Sequence, residues 1–183
     1  MRINRVVAVI GLGFLLAGGC SKNGNPVSPS LADDFPASSK FSVTLYSASQ
    51  SVVVGQSFEV RVVLYNVTNV SGCALKISYP SSMVLVDGVA PGTSFLPPDS
   101  VLSISRIEQD SGRVSYGVAY ANSGRAGSKS GSGVICILDC KAKAAGTCSF
   151  VVDPASLEVK TPDGTLIQNF STLLLEDFSV TVH

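Results

Sequence analysis

The chain has 183 residues, with 13 Lys or Arg, 13 Asp or Glu and zero formal net charge, so it offers no basic field to draw nucleic acid. Its single histidine is the terminal residue, His183, which excludes a Ser/His/Asp nucleophile set and histidine-based zinc sites. It has no tryptophan, and 45% of its residues are apolar, enough for a packed core but with few planar rings to stack on sugars.

The first element is a leader. Arg2 and Arg5 form a short positive region, and the uncharged apolar run Val6 to Ala17 is too short to cross about 30 Å of hydrocarbon. Small residues and then Cys20 follow. This order resembles a bacterial lipoprotein signal, in which the cysteine is acylated and becomes the first residue of the mature chain. Ala17 stands three places before it where Leu is usual, with Leu16 one step earlier. An ordinary signal peptide and a membrane-spanning helix are the alternatives. Durable anchoring takes more than one acyl chain. Ser21, where an Asp would retain the protein, implies the outer membrane by the sorting pattern of Gram-negative lipoproteins.

Export changes the ledger of charge and redox. Without residues 1–19 the chain keeps 11 basic and 13 acidic residues, a net charge of −2. Beyond Cys20 lie Cys73, Cys136, Cys140 and Cys148. An even number in an oxidising compartment favours disulfides, and the alternative is four buried thiols packing as small hydrophobes.

Residues 20–40 read as a lipidated cysteine and a disordered tether, too polar and too interrupted by proline to pack. From Phe41 to Val182 the composition turns to Val, Ile, Leu, Ser and Thr, and about 140 residues is the size of one domain. Period-two alternation marks Phe41–Tyr46, Phe58–Tyr65, Cys73–Tyr79, Val101–Ile107, Val114–Tyr120 and Val134–Cys140. Shorter runs lie at Met83–Val86, Cys148–Val152, Leu157–Lys160 and Leu173–Val182. Turn residues separate them, among them Gly55, Gly72, Gly112, Gly146 and Pro162-Asp-Gly164. No stretch keeps a helical period over three turns. Many short strands with regular turns predict an all-β sandwich or barrel.

Several motifs then fall in a familiar order. Val53-Val-Gly55-Gln-Ser-Phe-Glu-Val-Arg-Val62 precedes Asn66-Val-Thr-Asn-Val-Ser-Gly72 and Leu75-Lys-Ile-Ser-Tyr79-Pro80. After these come Val86-Asp-Gly-Val-Ala-Pro-Gly-Thr-Ser-Phe95, the run Ser130 to Gly146 and Leu157-Glu-Val-Lys-Thr-Pro-Asp-Gly164. Over residues 41–182 the chain resembles a cohesin domain. The resemblance implies a nine-stranded jelly-roll sandwich related to cellulose-binding modules. Two departures stand out: Pro80 replaces the usual Asp after the tyrosine, and Cys140 replaces a core aromatic. The implied topology suggests the pairings Cys140–Cys148 and Cys73–Cys136.

The resemblance also implies a non-catalytic interaction module. In cohesins the sheet of strands eight, three, six and five grips the dockerin, a small calcium-binding helical module. Its outward positions here would be Ala74, Lys76 and Ser78 on one strand and Ser115, Gly117 and Ala119 on the other, with Asn122 in the loop beyond. Val114, Tyr116, Val118 and Tyr120 would face the core. No cofactor is expected, since calcium would belong to the dockerin, and the lone domain suggests a monomer with one site. The alternatives are a polysaccharide-binding module, disfavoured by the missing tryptophan, and a structural envelope lipoprotein.

Other chemistries fit less well. Four cysteines without paired Cys-x-x-Cys spacing make a poor zinc site. Ala126–Gly133 contains Gly-Ser-Lys-Ser but precedes a strand, which reads as a flexible loop rather than a phosphate cradle. Glu108, Asp110, Asp153, Asp163, Glu176 and Asp177 lie at or near turns, where solvated acids belong, which leaves no evident glycosidase pair.

Overall fold

The computed structural model describes residues 35–38, 41–93, 95–96, 100–121, 127–167 and 174–183. Twelve strands run through them: β1 Ser42–Tyr46, β2 Ser51–Val52, β3 Ser57–Val70, β4 Gly72–Ser78, β5 Val84–Pro91, β6 Val101–Glu108, β7 Arg113–Tyr120, β8 Lys129–Ala142, β9 Gly146–Val152, β10 Glu158–Lys160, β11 Leu174–Glu176 and β12 Phe178–Val182. Nine of them are five residues or longer, in keeping with the expected sandwich of about nine strands.

Two sheets form the layers. One has the order β11-β1-β3-β8-β5; the other runs β2-β12-β9-β4-β7-β6, with β10 added alongside β4. Period-two patterning sends every second side chain inward. Val60, Val62 and Leu64 of β3 and Cys136 and Leu138 of β8 thus meet Leu75, Ile77, Val114, Tyr116, Cys148 and Phe150 of the other sheet in one buried core. Phe150 lies at an aromatic hub. Its ring is edge-on to Phe58 at 6.3 Å, stacked near Tyr79 at 6.1 Å and tilted against Phe178 at 6.3 Å.

Proline ends β4 as its missing N–H requires. The Pro80 carbonyl accepts from the N–H groups of Met83 and Val84 at 2.9 and 3.0 Å, turning the chain into β5. Tyr79 donates its hydroxyl to Gln109 at 2.8 Å, and the Gln109 amide bonds the Val86 carbonyl, tying the β6–β7 turn to β5.

Several boundaries differ from the sequence expectation. β3 continues past Tyr65 to Val70, and residues 129–133, expected as loop, extend β8 beside it. Two bulges make this possible. Asn66 and Asn69 adopt left-handed φ values of 52° and 57°, and their N–H groups donate to Ser132 and Ser130. The run Leu173–Val182 divides into β11 and β12, which join different sheets. Residues 35–38, part of the expected tether, pack on the domain: Phe35 sets its ring against Tyr65.

No disulfide joins the described residues: Cys73, Cys136, Cys140 and Cys148 are buried free thiols. Cys140 and Cys148 do not lie on a hairpin, because the chain between β8 and β9 passes from one sheet to the other. Cys73 and Cys136 do stand in opposite sheets, as the resemblance implies, and both are free thiols there. Burial pushes the Cys73 thiol up to about 12 and raises Cys140 and Cys148. Cys136 is raised well above the usual thiol range by burial first and by Cys73 second. A raised pKa keeps a thiol protonated and unreactive at neutral pH. With Cys20 replaced, a thiol-specific reagent at pH 8 should therefore label none of the four in the native protein and all four after unfolding without reductant. Fewer than four after unfolding would show that bridges form.

Candidate partner-binding face

The outer face of the larger sheet is set by strand register. Pairing places Lys160, Gly72, Ala119 and Leu102 in one row across β10, β4, β7 and β6, and Glu158, Ala74, Gly117 and Ile104 in the next. Lys76, Ser115 and Arg106 form a third row, and Ser78, Arg113 and Glu108 a fourth. Neighbouring strands lie about 4.8 Å apart, so the rows span about 14 Å from β10 to β6.

The first two rows have a floor of small residues and walls of larger ones. Gly72, Ala74, Gly117 and Ala119 leave a groove of about 540 Å³ between Leu102 and Ile104 on one side and Glu158 and Lys160 on the other. It adjoins a second hollow of about 280 Å³ that reaches Lys76, Arg106, Ser115 and Ser156. The floor has little room to spare. A Cβ at position 72 would stand 3.1 Å from the Val118 carbonyl oxygen, and one at 117 would touch Ile104 at 3.4 Å.

Leu102 and Ile104 are 72% and 76% exposed, adjacent on one edge strand. Large aliphatic side chains held this far into water cost apolar hydration that a partner would relieve. The rim is polar and partly paired. Lys160 bonds Glu158 at 2.9 Å, and Arg106 bonds Glu108 at 3.0 Å. Beyond β4, the turn Pro154–Ser156 is pinned beside Lys76. Ser156 Oγ accepts the Lys76 N–H at 2.8 Å and donates to the Asp153 carbonyl at 2.8 Å.

Four of the five expected contact residues, Lys76, Ser78, Ser115 and Ala119, share this outer face. Asn122 lies outside the described residues, as does Cys20. Val114, Tyr116 and Val118 face the core as expected, and Tyr116 donates its hydroxyl across the sandwich to the Ile135 carbonyl at 3.1 Å. Burial, then the Cys136 and Cys73 thiols, push the Tyr116 phenol upward. Reading the sequence missed Leu102 and Ile104. They share the phase of Arg106 in Val101-Leu-Ser-Ile-Ser-Arg-Ile107, and that charge marks the solvent side.

A sheet face with an apolar floor, no aromatic platform in its four rows and its acids tied to cations defines a protein-interaction module on a β-sandwich. The particular family follows from comparison with known proteins. The chain belongs to the cohesin family: the model described as the cohesin domain matches residues 41–172. Cohesin domains are non-catalytic protein–protein interaction modules. No curated protein matches the chain in sequence. Among solved structures it is similar to a type II cohesin domain from the cellulosome of Acetivibrio cellulolyticus, at 15% identity and TM-score 0.64, covering 76% of this chain and 94% of that one. A non-cellulosomal cohesin from the archaeon Archaeoglobus fulgidus matches at 18% identity and TM-score 0.61, over 78% and 91% of the two chains. The cohesin–dockerin complex of Coh-OlpC with Doc435 from Clostridium thermocellum matches at 14% identity and TM-score 0.63, over 81% and 98%. At these identities the likeness is one of fold.

Proposed function

We propose that the protein is a membrane-anchored, extracytoplasmic receptor that holds a dockerin-like module on the outer face of β4, β7 and β6. The observation that carries this reading is the pair Leu102 and Ile104, standing exposed over a floor of glycine and alanine. Similar cohesins in complex with dockerins support the choice of partner. The anchor rests on the sequence order from Arg2 to Cys20, which matches a lipoprotein leader. Lys76, Ser78, Ser115 and Ala119 supply the rest of the contact surface, and Asn122 is assigned to its margin. The protein acts by complementarity: apolar burial gives affinity, and the rim charges give register.

One experiment tests both parts. The full chain, expressed in a bacterium with an outer membrane, should partition with membranes and capture calcium-loaded proteins bearing duplicated Asp-x-[Asp/Asn]-x-[Asp/Asn]-Gly loops. Chelation should abolish capture. Cys20→Ala should release the protein from membranes and leave capture intact. Capture that ignores calcium, or none, removes the dockerin mechanism; membrane retention of Cys20→Ala removes the lipid anchor.

A further inference from the structure

The outer face of the five-stranded sheet carries a small apolar cluster separate from the main core. Val63, Tyr65 and Val134 are no more than 2% exposed, with Phe35, Tyr46 and Ile137 packed beside them. Residues 35–38, which precede the family match beginning at residue 41, lie over this cluster. Phe35 meets Tyr65 edge-on, with 5.6 Å between ring centroids and 81° between planes. The Tyr65 hydroxyl donates to the Pro36 carbonyl at 2.6 Å, and the Asn66 side-chain amide donates to the Ser38 carbonyl at 2.9 Å. Asn66 is itself held in its left-handed conformation by the bond from its N–H to Ser132 Oγ at 3.0 Å. The bulge that lengthens β3 therefore also aims the amide that binds the strap.

We propose that residues 35–38 are a mount: they dock on the outer face of the five-stranded sheet, so the chain toward Cys20 departs from the face opposite the groove. Two bonded carbonyls and a partly buried ring contact give the strap a defined place, which sets the point at which the chain leaves the domain. The two outer faces are separated by a sheet spacing of about 10 Å and by the side chains on either side. This orientation rests on the reading of the groove as the partner site and of Cys20 as the anchor; the docking of the strap does not.

The test uses the full mature chain with Cys20→Ser, carrying one nitroxide label at Ala37→Cys, since Ala37 is exposed and the four core thiols are buried. Amide NMR signals of Tyr46, Val63 and Ile137 should lose most of their intensity and recover when the nitroxide is reduced. Those of Ala74 and Gly117 should keep theirs. Adding Phe35→Ala and Tyr65→Phe should weaken the loss at Val63 and Ile137 while the spectrum stays dispersed. Equal broadening at Gly117, or broadening only of residues adjacent in sequence, overturns the mount. Calcium-dependent capture is read separately. Its failure with the broadening intact removes the receptor reading and leaves the strap docked; capture without the broadening removes the mount alone.

Discussion

Replacing Leu102 and Ile104 together by threonine should weaken capture of the calcium-loaded partner by about 100-fold or more and leave the domain as stable as before. Each substitution removes roughly two apolar carbons from the contact, and burial is worth about 0.8 kcal/mol per CH₂, so the pair accounts for about 3 kcal/mol. Threonine is chosen because its branched Cβ suits a strand as well as isoleucine does. Both side chains stand mostly in water in the free protein, so the folded state loses almost nothing, and surface changes of this kind stay within about 0.5 kcal/mol. Calorimetric titration with the captured module and a thermal melt read the two effects apart. Unchanged affinity would move the partner off this face; a large drop in melting temperature would mean the two residues serve the fold.

Phe150→Ala should be the most damaging single change in the core. The ring is fully buried and bridges the layers, touching Phe58 of the five-stranded sheet, Phe178 beside it on β12 and Tyr79 past the end of β4. Deleting it opens a cavity that three other rings cannot collapse to fill, at a cost of about 3–5 kcal/mol. For a domain of this size that corresponds to a fall in melting temperature of about 10 °C. Phe150→Leu keeps most of the volume and should cost less than about 1.5 kcal/mol. Urea unfolding followed by fluorescence of the five tyrosines gives both values. A loss below about 1 kcal/mol for the alanine variant would show that the aromatic hub is not where the sheets are locked together.

What could be read from the chain, and what could not, follows from the range of the physics involved. Period-two runs such as Phe58-Glu-Val-Arg-Val and Val114-Ser-Tyr-Gly-Val state which side chains face inward, and the structure agrees at each inward position. The outward set on β4 and β7 came from the same alternation. An apolar residue in a strand is ordinarily assigned to the core, which hides Leu102 and Ile104; the phase they share with Arg106 is the one local sign that they face out, and the register with Ala119 and Gly117 places them there. The full lengths of β3 and β8 are hidden in the sequence because Asn66, Asn69 and Gly131 look like turn formers locally. Asn66 and Asn69 instead sit at bulges, stabilised by Ser132 and Ser130 some sixty residues away. The strap was hidden for the same reason: Pro36 and Ser38 look like linker until Tyr65 and Asn66 are seen to bind their carbonyls.

The long pairing of β3 with β8 also governs how the molecule must form. These two 14-residue strands share the largest interface in the domain, and their partners lie roughly 60 to 85 residues apart in sequence. Neither strand has a hairpin to the other, so the chain must close a wide loop before the central ladder repays the lost entropy. Topologies dominated by such distant pairings fold in milliseconds to seconds rather than microseconds. During that interval the fourteen residues of β3, with Val60, Val62, Val63 and Leu64 among them, have no mate from β8. A chain secreted in an extended state would spend its most aggregation-prone moments waiting for residues 129–142 to follow.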